Sequence, residues 1–344
     1  MLDENGVKAM TFLAHFRIAA LILLLLAVAM VAPVSAQKLG PDGAPNPTAS
    51  VTSQRELLQQ QSRIAGRIDI PDVKASVLMQ PAGRTWDYFH EVLLHWGAAA
   101  VIVGTVVLLA LAYLMLGRLP IAGGRSGQKI IRFVAFERFS HWLTAASFVL
   151  LGLTGLNITF GKIVLLPIVG PELFSDISEV AKYVHNFTSF AFVIGLFLIA
   201  VIFFRDNLLE HVDIEWLKRG GGFIKNRHAP AGRFNLGEKM VFWLSIAAGV
   251  AVSASGFLLL FPFYGTDILD MQLAQVTHAV VAILFIALIL GHIYIGTLGM
   301  EGAFEAMGTG EVDLNWAREH HDRWLAQKLA NEDRRGEPTA TPAE

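Results

Sequence analysis

Four histidines, His141, His185, His278 and His292, sit inside or at the edge of long apolar stretches, where an imidazole is expensive and marks function. The last two share one stretch, fourteen residues apart. Fourteen residues at about 100° each come to about 1400°, some 40° short of four full turns, and rise about 21 Å. Both rings therefore share a helix face, near opposite sides of a hydrocarbon core about 30 Å thick. A neutral imidazole on each side of a porphyrin iron completes its six ligands, leaving no open position for oxygen chemistry and favouring electron transfer. Two ligands on one helix face and two on neighbouring helices predict a ladder of two bis-histidine haems.

The competing chemistry for buried histidines is a proton relay, as in a haem-free secondary transporter. Relays usually include intramembrane Asp or Glu, and the middles of these stretches have none. Glycines near the ligands let a flat macrocycle approach a helix. Gly155, fourteen residues after His141, faces the other haem level, while Gly249 and Gly256 repeat every seven; close helix packing is the plainer role. His90 and His95 read as interfacial or hydrogen-bonded side chains. His211, His228, His320 and His321 fall in polar segments and are expected to be solvated or to touch a partner.

The 344 residues are 54% hydrophobic and 16% charged, with a mean hydropathy of +0.51. That charge content is well below the roughly one quarter of soluble domains, so this is a polytopic membrane protein. The formal charge of −2 decides nothing, because its distribution matters more than its sum. There is no cysteine, which excludes thiolate-held iron–sulfur clusters, covalent c-type haem and disulfides within the chain. Any haem is the non-covalent b type. No P-loop, Rossmann glycine pattern or metalloprotease motif occurs, and nothing points to nucleic acid.

Residues 1–36 read as a signal peptide ending at Ala36 or, failing cleavage, as an N-terminal anchor. Residues 37–92 are an exported, largely disordered arm rich in Pro, Ala, Ser and Gln up to residue 80. Five spans follow, at about 93–116, 139–160, 183–204, 240–263 and 274–298. The fold class is an all-α membrane protein: a four-helix di-haem bundle over 130–300, with one additional helix and a link over 93–129 and a cytoplasmic tail over 301–344. Starting outside, the segments 117–138 and 205–239 lie inside. They carry Arg118, Arg125, Lys129, Arg132 and Arg138, and Arg205, Lys218, Arg219, Lys225, Arg227, Arg233 and Lys239. The exported connection 161–182 has only Lys162 and Lys182, and 264–273 has no Lys or Arg, as the positive-inside rule requires.

Depth then pairs the histidines. His141 and His292 fall near the cytoplasmic side, and His185 and His278 near the exported side.

These residues resemble the cytochrome b (gamma) subunit of membrane-bound respiratory formate dehydrogenases over about residues 130–330. ERFSHW opens the first family helix, YVHNF the second, and THAVVAILFIALILGHIYIGTLG forms the fourth. The stretches EHVDIEWLKRG, RFNLGEKMVFW and GEVDLNWAREHHDRW make the match more specific. The resemblance implies two haem b on His141, His185, His278 and His292. It also implies menaquinone or ubiquinone near the cytoplasmic haem, at positions matching Asn235 and Gly237. Asn235 alone reads as a helix cap before Leu236. The implied partners are an iron–sulfur beta subunit and a molybdenum- or tungsten-pterin alpha subunit that oxidises formate. The implied location is the bacterial inner membrane, with the arm periplasmic. Electrons would run from the periplasmic iron–sulfur partner through both haems to quinone. The b subunits of nickel–iron hydrogenases and thiosulfate reductases share the histidine scheme and are the alternative. Arg138 and Lys239 are candidates for pairing with haem propionates, against simple headgroup anchoring.

Overall fold

The computed structural model describes residue 86 and residues 88–221, 229–262, 264–335 and 341–342. The signal-like segment, most of the exported arm and His228 lie outside the described residues. Five helices in the described part are long and apolar enough to cross a membrane. A π-helical turn, Tyr88–Leu94, leads into α1 (His95–Leu116). Then come α2 (Ala135–Val164), the short α3 (Leu166–Val169) and α4 (Pro171–Phe203). A 3-10 turn and α5 (His211–Lys218) lead to α6 (Leu236–Leu260) and α7 (Ile268–Tyr294), which continues as a π turn through Gly299.

The helices overrun the expected spans for local reasons. Proline opens α4 at residue 171, twelve residues before the apolar run starts, and Glu172, Asp176 and Glu179 lie exposed on this polar extension. Its 33 residues amount to about 50 Å, well beyond a hydrocarbon core. Capping boxes start α6 at Asn235 with Glu238 and α7 at Asp267 with Asp270.

Helices α2 and α4 make the largest contact, α6 and α7 the next, and α1 lies along α7. Gly195 permits the α2–α4 crossing, since a Cβ there would overlap Thr144. Halfway along the bundle Phe148, Phe192 and Phe285 form an apolar cluster, with Phe148 and Phe285 centroids 4.6 Å apart. Phe285 is seven residues from both His278 and His292, so this cluster fills the space between the two histidine levels.

The chain is an all-α membrane protein as expected, and one end of the bundle carries a folded collar with three short strands. β1 (Gln128–Ile131) pairs antiparallel with β2 (Glu311–Asp313) on one side and β3 (Thr341–Pro342) on the other. Between these, α8 (Ala303–Gly308), α9 (Leu314–His320) and α10 (Asp322–Arg335) pack over the helix ends. Val312 and Ala317 are fully buried, with Ile121, Ile130, Phe133, Phe203, Trp316 and Leu325 around them. The β1–β2 pairing requires residues 128 and 313 to be on one side of the bundle, which four intervening spans satisfy and an odd number would not.

Candidate functional site

His141 lies two turns into α2, and His292 lies near the end of α7. Their ring centroids are 6.2 Å apart and their planes 58° apart. His185, in the middle of α4, meets His278, early in α7, at 6.1 Å and 68°. These are the two pairs that depth assigned. His141 and His292 are at the collar end; the other pair is at the far end. An imidazole–metal bond is about 2.0 Å and a ring centre lies about 1.1 Å behind its nitrogen, so two imidazoles across one iron have centroids about 6.2 Å apart. Both pairs have this spacing. No cluster of three or more His, Asp or Glu able to hold a metal occurs among the described residues, so the other ligands of an iron here would come from a macrocycle.

The far pair has defined tautomers. Thr154 Oγ1 donates its only proton to the Leu150 carbonyl at 2.7 Å, so it accepts from His185 Nδ1 at 2.9 Å. His278 Nδ1 faces the Val252 carbonyl at 3.0 Å and Ser255 Oγ at 3.2 Å. A carbonyl only accepts, and Ser255 spends its proton on Ala251 O at 2.7 Å. Both Nδ1 atoms therefore carry the proton, leaving each Nε2 lone pair free for a metal. Each hydroxyl is followed by a glycine against the same ring. A Cβ on Gly155 would lie 3.4 Å from His185 Cε1, and one on Gly256 would lie 3.0 Å from His278 Cε1. The repeated hydroxyl–glycine pair was a signal present in the sequence and not read there. Gly249 instead faces Leu196, an ordinary helix contact.

At the collar end, His141 Nδ1 is buried without a partner, and its ring meets Trp142 edge-on at 5.2 Å. Arg138, one turn earlier, gives Nη1 to the Thr309 carbonyl, while its buried Nε has no partner. That orphan donor suits a carboxylate such as a haem propionate. Lys239 does not suit one. It is buried, with Nζ 2.8 Å from Asp213 Oδ2 and from Leu208 O, so both the propionate and the headgroup expectations fail for it. The lysine faces a carboxylate on α5 that hydropathy could not locate.

Asn235 takes the capping role: Oδ1 accepts from Glu238 N at 3.0 Å, and Glu238 Oε2 accepts from Asn235 N at 2.9 Å. Gly237 lies beside Asn235 Oδ1 and the Trp216 indole. Arg132, buried by four aromatic rings including Phe133 and Trp316, bonds Glu238 and the Arg233 carbonyl. Burial holds its guanidinium pKa below the usual arginine range, against the pull of Glu238. Arg233 in turn bridges Glu137 at 2.7 Å and Asp206 at 2.6 Å. Asn235 is thus two residues from a side chain bound to Glu137, which is one turn before His141.

Two lesser expectations resolve differently. His95 is hydrogen-bonded as expected, Nε2 facing Thr159 O at 2.8 Å and Nδ1 facing His90 O at 2.9 Å, which ties α1 to α2. His321 is neither solvated nor positioned for a partner: it is 1% exposed, its Nδ1 facing Gly232 O at 3.0 Å under Trp316. The collar's folding buries it.

Paired imidazoles of this geometry in a helical membrane bundle define a b-type cytochrome. The profile of the prokaryotic cytochrome b561 family matches residues 132–310, just over half the chain, and the protein belongs to that family. Membership implies haem b. The chain is 29% identical over 212 residues to the formate dehydrogenase cytochrome b556(fdo) subunit of Escherichia coli K12, covering 60% of this chain and 97% of that one. It is 28% identical over 207 residues to the formate dehydrogenase cytochrome b556 subunit of Haemophilus influenzae, covering 58% and 84% respectively. Identity to the nitrate-inducible cytochrome b556(Fdn) subunit of E. coli K12 is 28% over 204 residues, covering 58% and 91%.

Proposed function

We propose that this chain is the di-haem membrane subunit of a formate dehydrogenase, carrying electrons from an exported iron–sulfur partner to a quinone on the cytoplasmic side. The observation that carries the reading is the two histidine pairs, at 6.1 and 6.2 Å, each contributing one ring to α7. The far pair, His185 and His278, takes the exported level. The collar-end pair, His141 and His292, takes the cytoplasmic level. The bound haems supply one-electron chemistry with no open iron position. The chain's own residues fix the rings, exclude water between the levels with Phe148, Phe192 and Phe285, and give the far pair its tautomer. Formate oxidation on a molybdenum- or tungsten-pterin partner releases two electrons. Quinone takes these with two protons from the cytoplasmic side, forming quinol and a membrane potential. Asn235 caps α6 with Oδ1 and turns its amide nitrogen to a quinone oxygen, with Gly237 keeping the approach open beside it.

The test is purification with partners, haem quantitation and a formate:quinone assay. The wild type should hold two haems per chain. His292→Ala should lose one haem and quinone reduction, while partner reduction of the remaining haem persists. Unchanged haem stoichiometry in that variant would contradict the pairing.

A further inference from the structure

The two histidine pairs differ in what stands behind their metal-facing nitrogens. Behind the far pair, His185 donates to Thr154 Oγ1, and His278 donates to the Val252 carbonyl and Ser255 Oγ. Behind the collar-end pair, His141 Nδ1 is buried and bonded to nothing. An imidazole that donates from Nδ1 to an oxygen is a more basic ligand at Nε2. A more basic axial ligand stabilises the oxidised, more positive iron and so lowers its reduction potential. Charge acts in the same direction. Arg138 lies one turn from His141, with Nη1 on the Thr309 carbonyl and a buried Nε without a partner. A cation there favours the reduced iron at the collar end.

We propose that Thr154 and Ser255, with the Val252 carbonyl, are positioning residues that set the far level at a lower reduction potential than the collar-end level. The bundle's own hydrogen bonds then bias each electron toward the collar. One electron leaving the far level oxidises it from ferrous to ferric and reduces the collar-end level from ferric to ferrous, with no proton moved. The inference rests on the two-haem reading given above.

The test is an anaerobic optical redox titration of the purified complex, with haem counted in the same samples. In the Thr154→Val, Ser255→Ala double variant the Val252 carbonyl stays, and the Leu151 carbonyl, 3.2 Å from Thr154 Oγ1, is nearby. The effect is therefore partial. The one-electron equilibrium of the lower-potential component should shift about threefold to tenfold toward reduction, tenfold being about 59 mV. The higher-potential component should stay in place. The Thr154→Ser, Ser255→Thr variant keeps both acceptors and should titrate as wild type, which a merely structural role would not require. In His141→Ala the component lost should be the higher-potential one. Two haems per chain with an unmoved lower-potential component, or loss of the lower-potential component in His141→Ala, would overturn the tuning. Fewer than two haems in the wild type would overturn the ligation reading itself.

Discussion

Replacing Lys239 with methionine asks where a buried positive charge is held. The lysine side chain is 1% exposed and its partner Asp213 is 4% exposed, with Nζ and Oδ2 2.8 Å apart. Methionine keeps most of the apolar stem and removes only the cation. Asp213 is then left with one donor, the Glu210 N–H at 2.7 Å. Removing one partner of a buried pair costs about 3–5 kcal/mol, and the remaining donor places this case near about 3 kcal/mol. Adding Asp213→Asn keeps an acceptor for the Glu210 N–H and removes the stranded charge. The double variant should recover about 2 kcal/mol, the coupling expected of residues in contact. The assay is denaturant unfolding of the complex in nanodiscs, followed by intrinsic fluorescence, with the haem spectrum recorded alongside. A Lys239→Met protein of wild-type stability that has lost haem, or a double variant no more stable than the single, would refute the pairing and return Lys239 to a propionate.

Two further outcomes follow from the same geometry. Gly256→Ala places a Cβ 3.0 Å from His278 Cε1 and 3.3 Å from Nδ1, against 3.4 Å from His185 for Gly155→Ala. We expect the first to lower haem content well below two per chain and the second to leave it nearly intact; equal retention would show that the rings can yield. Burial holds the His321 imidazole well below its ordinary 6.5, helped by Arg132, with His320 and Glu238 also facing it. Its neutral form is favoured in the fold, so its contribution is complete above about pH 6.5 and declines as pH falls from there toward the folded-state value. Hydrogen-exchange protection across 311–335, corrected for the intrinsic exchange rate at each pH, should therefore fall between about pH 7.5 and 5.5, and less so in His321→Gln. Wild-type protection that does not change over this interval would sink the argument.

The histidine pairs were legible because two regular signals met. Helical periodicity placed His278 and His292 on one face, and loop charge alternation gave each histidine a depth. Both signals are local, and the apolar spans that carry them are uninterrupted. The collar was not legible. Residues 301–344 are polar, and their few large apolar side chains, Val312, Trp316 and Leu325, acquire a core only by meeting Ile130 and Phe133 from the other end of the bundle segment. The start of α4 was missed because hydropathy reports where lipid begins, not where hydrogen-bonded helix begins.

Composition and spacing alone therefore determined a polytopic helical membrane protein, free of cysteine chemistry, with two histidine levels. Each of those properties depends on residue type and period along one chain direction. Only the tertiary structure decided that Asn235 caps a helix, that Lys239 is spent on Asp213, and that Thr154 and Ser255 stand behind one pair of rings while none stands behind His141. A hydrogen bond needs its partner within about 3 Å, and which residues come that close is settled by packing between helices rather than by order along any one of them.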